Sequence, residues 1–149
     1  MLDQVIKELA RFLNISFEEA KRRVESYNVG VAARKWNEAK PQTAKEVEKF
    51  YQDIDHYLYE LIPWNYASDE FNQRVSPLFF YHNKKILELG AGIGSLCIAL
   101  QYAGNQTTYC DISDKLSAFA LQRFQDRQFN IPIVKDLTGL KDFDMVVAI

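Results

Sequence analysis

The 149-residue chain has only two cysteines and two histidines, the side chains that most often bind soft metals or cross-link. His56 and His82 are far apart and show no ligand spacing with Cys97 or Cys110, so no metal site is read from them. Both cysteines lie in apolar runs, which points to buried reduced thiols rather than a disulfide. No apolar stretch approaches the roughly 20 residues of a membrane span. The start of the chain, Met1 to Val5, lacks the basic region and apolar run of a signal peptide. The expectation is a cytoplasmic protein with no membrane contact. A basic field is missing too: net charge is −2, with 11 basic and 13 acidic side chains in residues 1–83 and 7 of each in residues 84–149. Electrostatics therefore gives a nucleic-acid partner no help.

What remains is the composition of an ordinary globular protein, 48% apolar and 26% charged. The length suits one domain with a proper core, or a compact domain with a helical extension. Glycine is scarce, six in all, and three of the six stand at alternate positions in Leu87-Glu88-Leu89-Gly90-Ala91-Gly92-Ile93-Gly94-Ser95. The apolar lead-in from Lys85 reads as a strand that turns sharply into a helix. Glycines permit positive φ in the turn and close approach of a ligand, and the amides at the start of the helix face it. A glycine-rich turn with no ligand is the plainer alternative.

Two nucleotide-binding patterns compete for this loop. A dinucleotide fingerprint needs a third glycine or an alanine at position 95, where this chain has Ser95. Glu88, two residues before the first glycine, would repel a pyrophosphate and suits a ligand carrying an ammonium or sulfonium. The spacing G-x-G-x-G with Glu88 ahead of it resembles the first motif of class I S-adenosylmethionine-dependent methyltransferases. Glu88, Gly90, Gly92 and Gly94 match that motif at every fixed position. The resemblance implies S-adenosyl-L-methionine as cofactor, a Rossmann-like parallel sheet of α/β class, and contacts from Glu88, Gly90, Ala91, Gly92 and Gly94. A nicotinamide-dependent oxidoreductase is the less favoured reading.

In chain order, Val5, Ile6, Leu9, Phe12 and Leu13 share one face of a helix over residues 2–13. Ser16 and Glu19 form a capping box for a second helix running to about Tyr27. The pair has something of a helix-turn-helix, but the neutral charge favours two supporting helices. A weaker helix spans 29–39. Thr43 and Glu46 then make another capping box, opening a long helix whose apolar stripe runs from Val47 to Ile62 and which Pro63 ends. Tyr57, Trp64 and Tyr66 lie off or beyond that stripe. They read as core margin or, by the resemblance, as cover for the cofactor. Asp55, His56 and Glu60 are titratable groups that a solvated helix face explains equally well. A further helix begins at Ser68-Asp69 and is bent or shortened by Pro77. The boundary between a helical region, 1–83, and the sheet domain, 84–149, is expected at His82-Asn83-Lys84.

From Lys85 the pattern alternates strand and helix. The strand 85–89 is followed by the loop, a helix stopping at Gly104, and a strand at 106–110. Asp111 follows, 21 residues after Gly90, where a carboxylate can accept from both ribose hydroxyls. Its alternative role is a helix cap before Ser113. In the resemblance Ile112 lies against the adenine face. A helix over 114–128 presents Leu116, Phe119, Ala120 and Phe124 to the sheet. Residues 131–135 form the third strand, and the resemblance makes Asp136 and the amide of Leu137 contacts for the adenine amino group. A turn-forming aspartate before Thr138-Gly139 explains Asp136 as well. Phe143-Asp144 introduces a fourth, apolar strand to Ile149.

The whole family domain has seven strands, so four suggest a truncated piece, or a partner that covers the last strand, since an apolar edge is one that proteins usually protect. No catalytic base can be named, and the methyl acceptor, small molecule or otherwise, is not identified. A binding module that holds S-adenosylmethionine or its product without turnover is the main alternative to an enzyme.

Overall fold

Val5, Ile6 and Leu9 recur at the spacing of one helix face. In the computed structural model of the chain, which describes residues 1–26 and 30–149, they form the buried side of helix α1 (Leu2–Leu13). Each such side chain contributes about 1.5–3 kcal/mol by leaving water. Asn14 ends the helix in the left-handed region, φ 53°, and Ile15 N donates to the Ala10 carbonyl at 2.9 Å. Helix α2 (Phe17–Ser26) starts with Ser16 Oγ accepting from Glu19 N, and it buries Ala20 and Val24. The expected end near Tyr27 lies outside the described residues, as does the expected start of the next helix at 29.

Helix α3 (Val31–Ala39) is followed by α4 (Ala44–Asp53), whose Thr43/Glu46 capping box is complete. The single long helix expected from residue 43 to 62 is two helices. Ile54 leaves helical geometry at ψ 88°, and α5 runs His56–Ala67, straight through Pro63. Apolar periodicity is blind to a one-residue excursion, because both pieces keep an apolar face. A proline inside a helix removes its own N–H bond and crowds the carbonyl four residues back, here Tyr59, yet the residues beyond Pro63 remain helical. Helices α1 to α5 lie within the first of two compact units, Met1–Ser68.

The second unit, Asp69–Ile149, begins earlier than the 83/84 position expected, so the helix α6 (Asp69–Val75) and the 3-10 turn Ser76–Phe80 belong with the sheet. Pro77 stands in the first turn of that 3-10 segment. Strands β1 (Lys85–Leu89), β2 (Gln106–Cys110), β3 (Ile133–Val134) and β4 (Met145–Ala148) form one parallel sheet in the order β3-β2-β1-β4. Helix α7 (Ser95–Tyr102) joins β1 to β2, and α8 (Asp114–Asp126) joins β2 to β3. Strand β3 is shorter than residues 131–135. Pro132 has no N–H to give a ladder, although its carbonyl accepts from Tyr109 N at 2.9 Å, and Ile131 turns into the core.

Sheet order positions the site. The chain winds outward from β1 through β2 to β3, then returns to place β4 on the other side of β1. The strand order reverses between β1 and β4, and ligands of open α/β sheets settle beyond the carboxyl ends of strands at such a reversal. Asp144 pins the return: its Oδ2 accepts from Lys85 N at 2.8 Å and its N donates to the Lys85 carbonyl at 2.9 Å. Strand β4 forms an edge with Val146 exposed. Among the described residues no helix is long and apolar enough to cross a membrane.

Candidate functional site

The loop between β1 and α7 lies at that reversal, and its glycines take left-handed φ: 66° at Gly90, 53° at Gly92 and 71° at Gly94. Two of them are glycine for different reasons. A Cβ on Gly94 would stand 2.7 Å from the Phe124 ring, so helix α8 packs against bare backbone there. A Cβ on Gly90 would meet nothing within 4 Å, which leaves its positive φ and an open approach from outside as the constraints.

Gly92 is held from both sides. Its N–H donates to Asp111 Oδ2 at 2.8 Å, and its carbonyl accepts from Tyr109 Oη at 2.7 Å. Ala91 N donates to the Cys110 carbonyl at 3.0 Å and Gly94 N to the Ala91 carbonyl at 2.8 Å, so both backbone groups of Ala91 shape the loop. Strand β2 thus fixes the loop with three consecutive residues, Tyr109, Cys110 and Asp111.

Asp111 is buried at the end of β2, and its second oxygen accepts from Ser113 N at 2.8 Å. The cap of α8 is Ser113, whose Oγ accepts from Leu116 N, rather than Asp111. Burial raises the Asp111 carboxyl above its ordinary range, against the lowering effect of the Ser113 and Gly92 amides. Glu88 is buried beside it. Desolvation pushes its carboxyl up to about 7, opposed by the thiol and amide of Cys97 and aided by the charge of Asp111. One of its oxygens, Oε2, is buried with no hydrogen-bond partner. The same desolvation, with the Glu88 charge beside it, raises the Cys97 thiol.

The remaining expected residues lie farther along the same edge. Ile112 follows Asp111 and is 40% exposed, and Leu137 is 48% exposed. Asp136 follows β3, one strand farther from β1 than Asp111. It is exposed, and its Oδ1 accepts from Thr138 N at 2.8 Å, the turn geometry foreseen as its alternative role. The Thr138 hydrogen bonds lower its pKa. The structure therefore gathers Glu88, Gly90, Ala91, Gly92, Gly94 and Asp111 at the ends of β1 and β2, with Asp136 and Leu137 beyond the end of β3. Tyr57, Trp64 and Tyr66 belong to the first unit, each half-buried. Glu60, in that unit, is not a solvated side chain: its Oε1 and Oε2 accept from Ala32 N and Gly30 N at 2.8 and 3.2 Å, capping α3.

Sequence reading missed Tyr109 and Arg123. Tyr109 lies mid-strand as an unremarked β-former, and only its inward parity, opposite Glu88 in the β1–β2 register, signals a role. Arg123 lies on a helix face that charge alone would assign to water.

A family model described as a methyltransferase domain matches residues 87–149. None of the curated proteins compared matches the chain. Among solved structures, the fold is similar to a magnesium protoporphyrin IX methyltransferase from Synechocystis PCC 6803 with bound SAH. That likeness has a TM-score of 0.55 at 20% identity over 70% of this chain. An S-adenosylmethionine-dependent methyltransferase from Clostridium acetobutylicum ATCC 824 matches more loosely, with TM-score 0.44, 18% identity, 60% of this chain and 42% of that one. The chain spans 57% of the length of the Synechocystis protein.

Proposed function

We propose that this chain, whose residues 87–149 match a family model described as a methyltransferase domain, binds S-adenosyl-L-methionine at the glycine loop and serves transfer of its methyl group to an acceptor. The observation that carries the reading is the pairing of a buried, unpartnered Glu88 oxygen with a loop whose Gly90 side is open. A buried acceptor without a partner costs about 1–3 kcal/mol, which an incoming ammonium group would offset. Asp111 suits the ribose. A carboxylate has about four lone-pair sites; Gly92 N and Ser113 N each donate to it at 2.8 Å, and the Ile112 amide also bonds it.

Bound S-adenosylmethionine supplies a methyl carbon already activated by its sulfonium for in-line displacement. The protein's own task is then to align the donor and exclude water. Gly90 lets the ligand approach the backbone, Glu88 receives the ammonium, and Asp111 fixes the ribose. Exposed Ile112 and Leu137 offer apolar surface for the adenine, and the exposed Asp136 carboxylate offers an acceptor for its amino group. A dinucleotide fits less well, because Glu88 would face a pyrophosphate and Ser95 replaces the third glycine.

Transfer of labelled methyl from S-adenosylmethionine to a panel of small-molecule acceptors tests the activity. Turnover of any acceptor supports an enzyme. Binding of S-adenosylhomocysteine (SAH) with no turnover across the panel makes the chain a binding module instead.

A further inference from the structure

The glycine loop is gripped by α8 as well as by β2, through an arginine that is 0% exposed. Arg123 Nη1 donates to the Ile93 carbonyl and, at 3.2 Å, to Ser95 Oγ, and its Cζ lies 5.6 Å from the centre of the Phe119 ring. Its two acceptors flank Gly94, the residue whose bare Cα rests on Phe124 and Ala120 of the same helix. That helix starts at the Ser113 cap, and Asp111 binds both Ser113 N and Gly92 N. The contacts close a ring: from the loop to Asp111, to the start of α8, along α8 to Arg123, and back to the loop.

We propose that Arg123 is a positioning residue that fixes the loop amides relative to the Asp111 carboxylate and so sets affinity for the adenosyl ligand. The inference rests on the reading of this loop as an S-adenosylmethionine site. A guanidinium suits the task, since the two N–H groups of its Nη1 are fixed in the plane of the group and serve both acceptors from one nitrogen, where a lysine ammonium rotates on a flexible stem. An ordered loop has met its ordering cost during folding rather than on binding, which is how a group that never touches ligand raises affinity.

The test uses the full chain with Arg123→Lys, Ser95→Ala and the double variant, read by calorimetric titration with SAH and by amide hydrogen exchange without ligand. Arg123→Lys is expected to weaken SAH binding about tenfold and Ser95→Ala about threefold, with the double variant less than additive because both act through one contact. In ligand-free Arg123→Lys the amides of residues 92–96 exchange faster while those of β1 keep their rates. Unchanged loop exchange, or a rise shared equally by β1 and the loop, overturns the proposal, since the latter is what a merely structural arginine would give. If Arg123→Lys does not fold, Ser95→Ala decides by the same two readings. A wild-type chain that binds no SAH refutes the cofactor reading, and the exchange pattern still decides the role of Arg123.

Discussion

Burial raises the Glu88 carboxyl to a pKa of about 7 from an ordinary 4.5, and the sign of the consequence follows from proton counting. Between those values the folded chain holds a proton that the unfolded chain has released. The stability contributed by neutral Glu88 is therefore fully present below pH 4.5 and is lost as pH rises through about 7. At about 1.4 kcal/mol per pKa unit, the loss is on the order of 3 kcal/mol. Chemical denaturation of wild type and Glu88→Gln across this range isolates it, because the amide cannot ionise and other titrations cancel in the difference. The wild-type advantage should shrink by that amount between pH 4.5 and 8, and a constant difference would contradict the assignment. At Asp111, loss of charge-assisted hydrogen bonds to the ribose should make Asp111→Ala bind SAH at least tenfold more weakly, on the order of 1.4 kcal/mol. Unchanged affinity in calorimetry would remove Asp111 from the site.

The two glycines separate packing from access. Gly94→Ala adds a methyl 2.7 Å from a fully packed ring at φ 71° and should destabilise by roughly 2–4 kcal/mol in urea unfolding. Gly90→Ala meets no atom and should cost only the backbone strain, about 1–2 kcal/mol, while weakening SAH binding. Glu88 and the glycines were legible in the sequence because their spacing is set by local backbone geometry, and Asp111, 19 residues from Gly92, because an acid closing the second strand is itself a recognisable pattern. Tyr109 and Arg123 were not, because a mid-strand tyrosine and a helix arginine belong to no such pattern and meet their partners Gly92 and Ile93 only across the fold.

At the scale of elements, the sequence predicts where helices begin better than where they bend. The Thr43/Glu46 box marks the start of α4 through a contact within one turn, which a sequence displays directly. The break at Ile54 and the passage of α5 through Pro63 have no such contact within one turn to mark them. Helix α3 shows the same limit. Its start, Gly30 at φ 97°, has no side-chain cap of its own and borrows Glu60 from α5. Removing that carboxylate leaves two amides unsatisfied, so Glu60→Ala should destabilise the first unit by about 1–3 kcal/mol. Thermal unfolding followed by circular dichroism measures it, and an unchanged midpoint would show the amides satisfied without Glu60.

At the scale of the molecule, the sheet order turns a glycine pattern into a site. A parallel sheet wound as β3-β2-β1-β4 places the β1 loop at the reversal, with the ends of β2 and β3 on one side of it. Alternation of strand and helix predicts the parallel class from sequence, whereas strand order follows from the return of β4 to β1, a pairing between residues about sixty positions apart that no local pattern encodes. The central claim is that this reversal holds an adenosyl sulfonium or its thioether product rather than a dinucleotide. Calorimetric titration of the full chain with SAH and, separately, with NAD tests it most directly. The account predicts saturable one-site heat with SAH and none with NAD, and binding of NAD alone would contradict it.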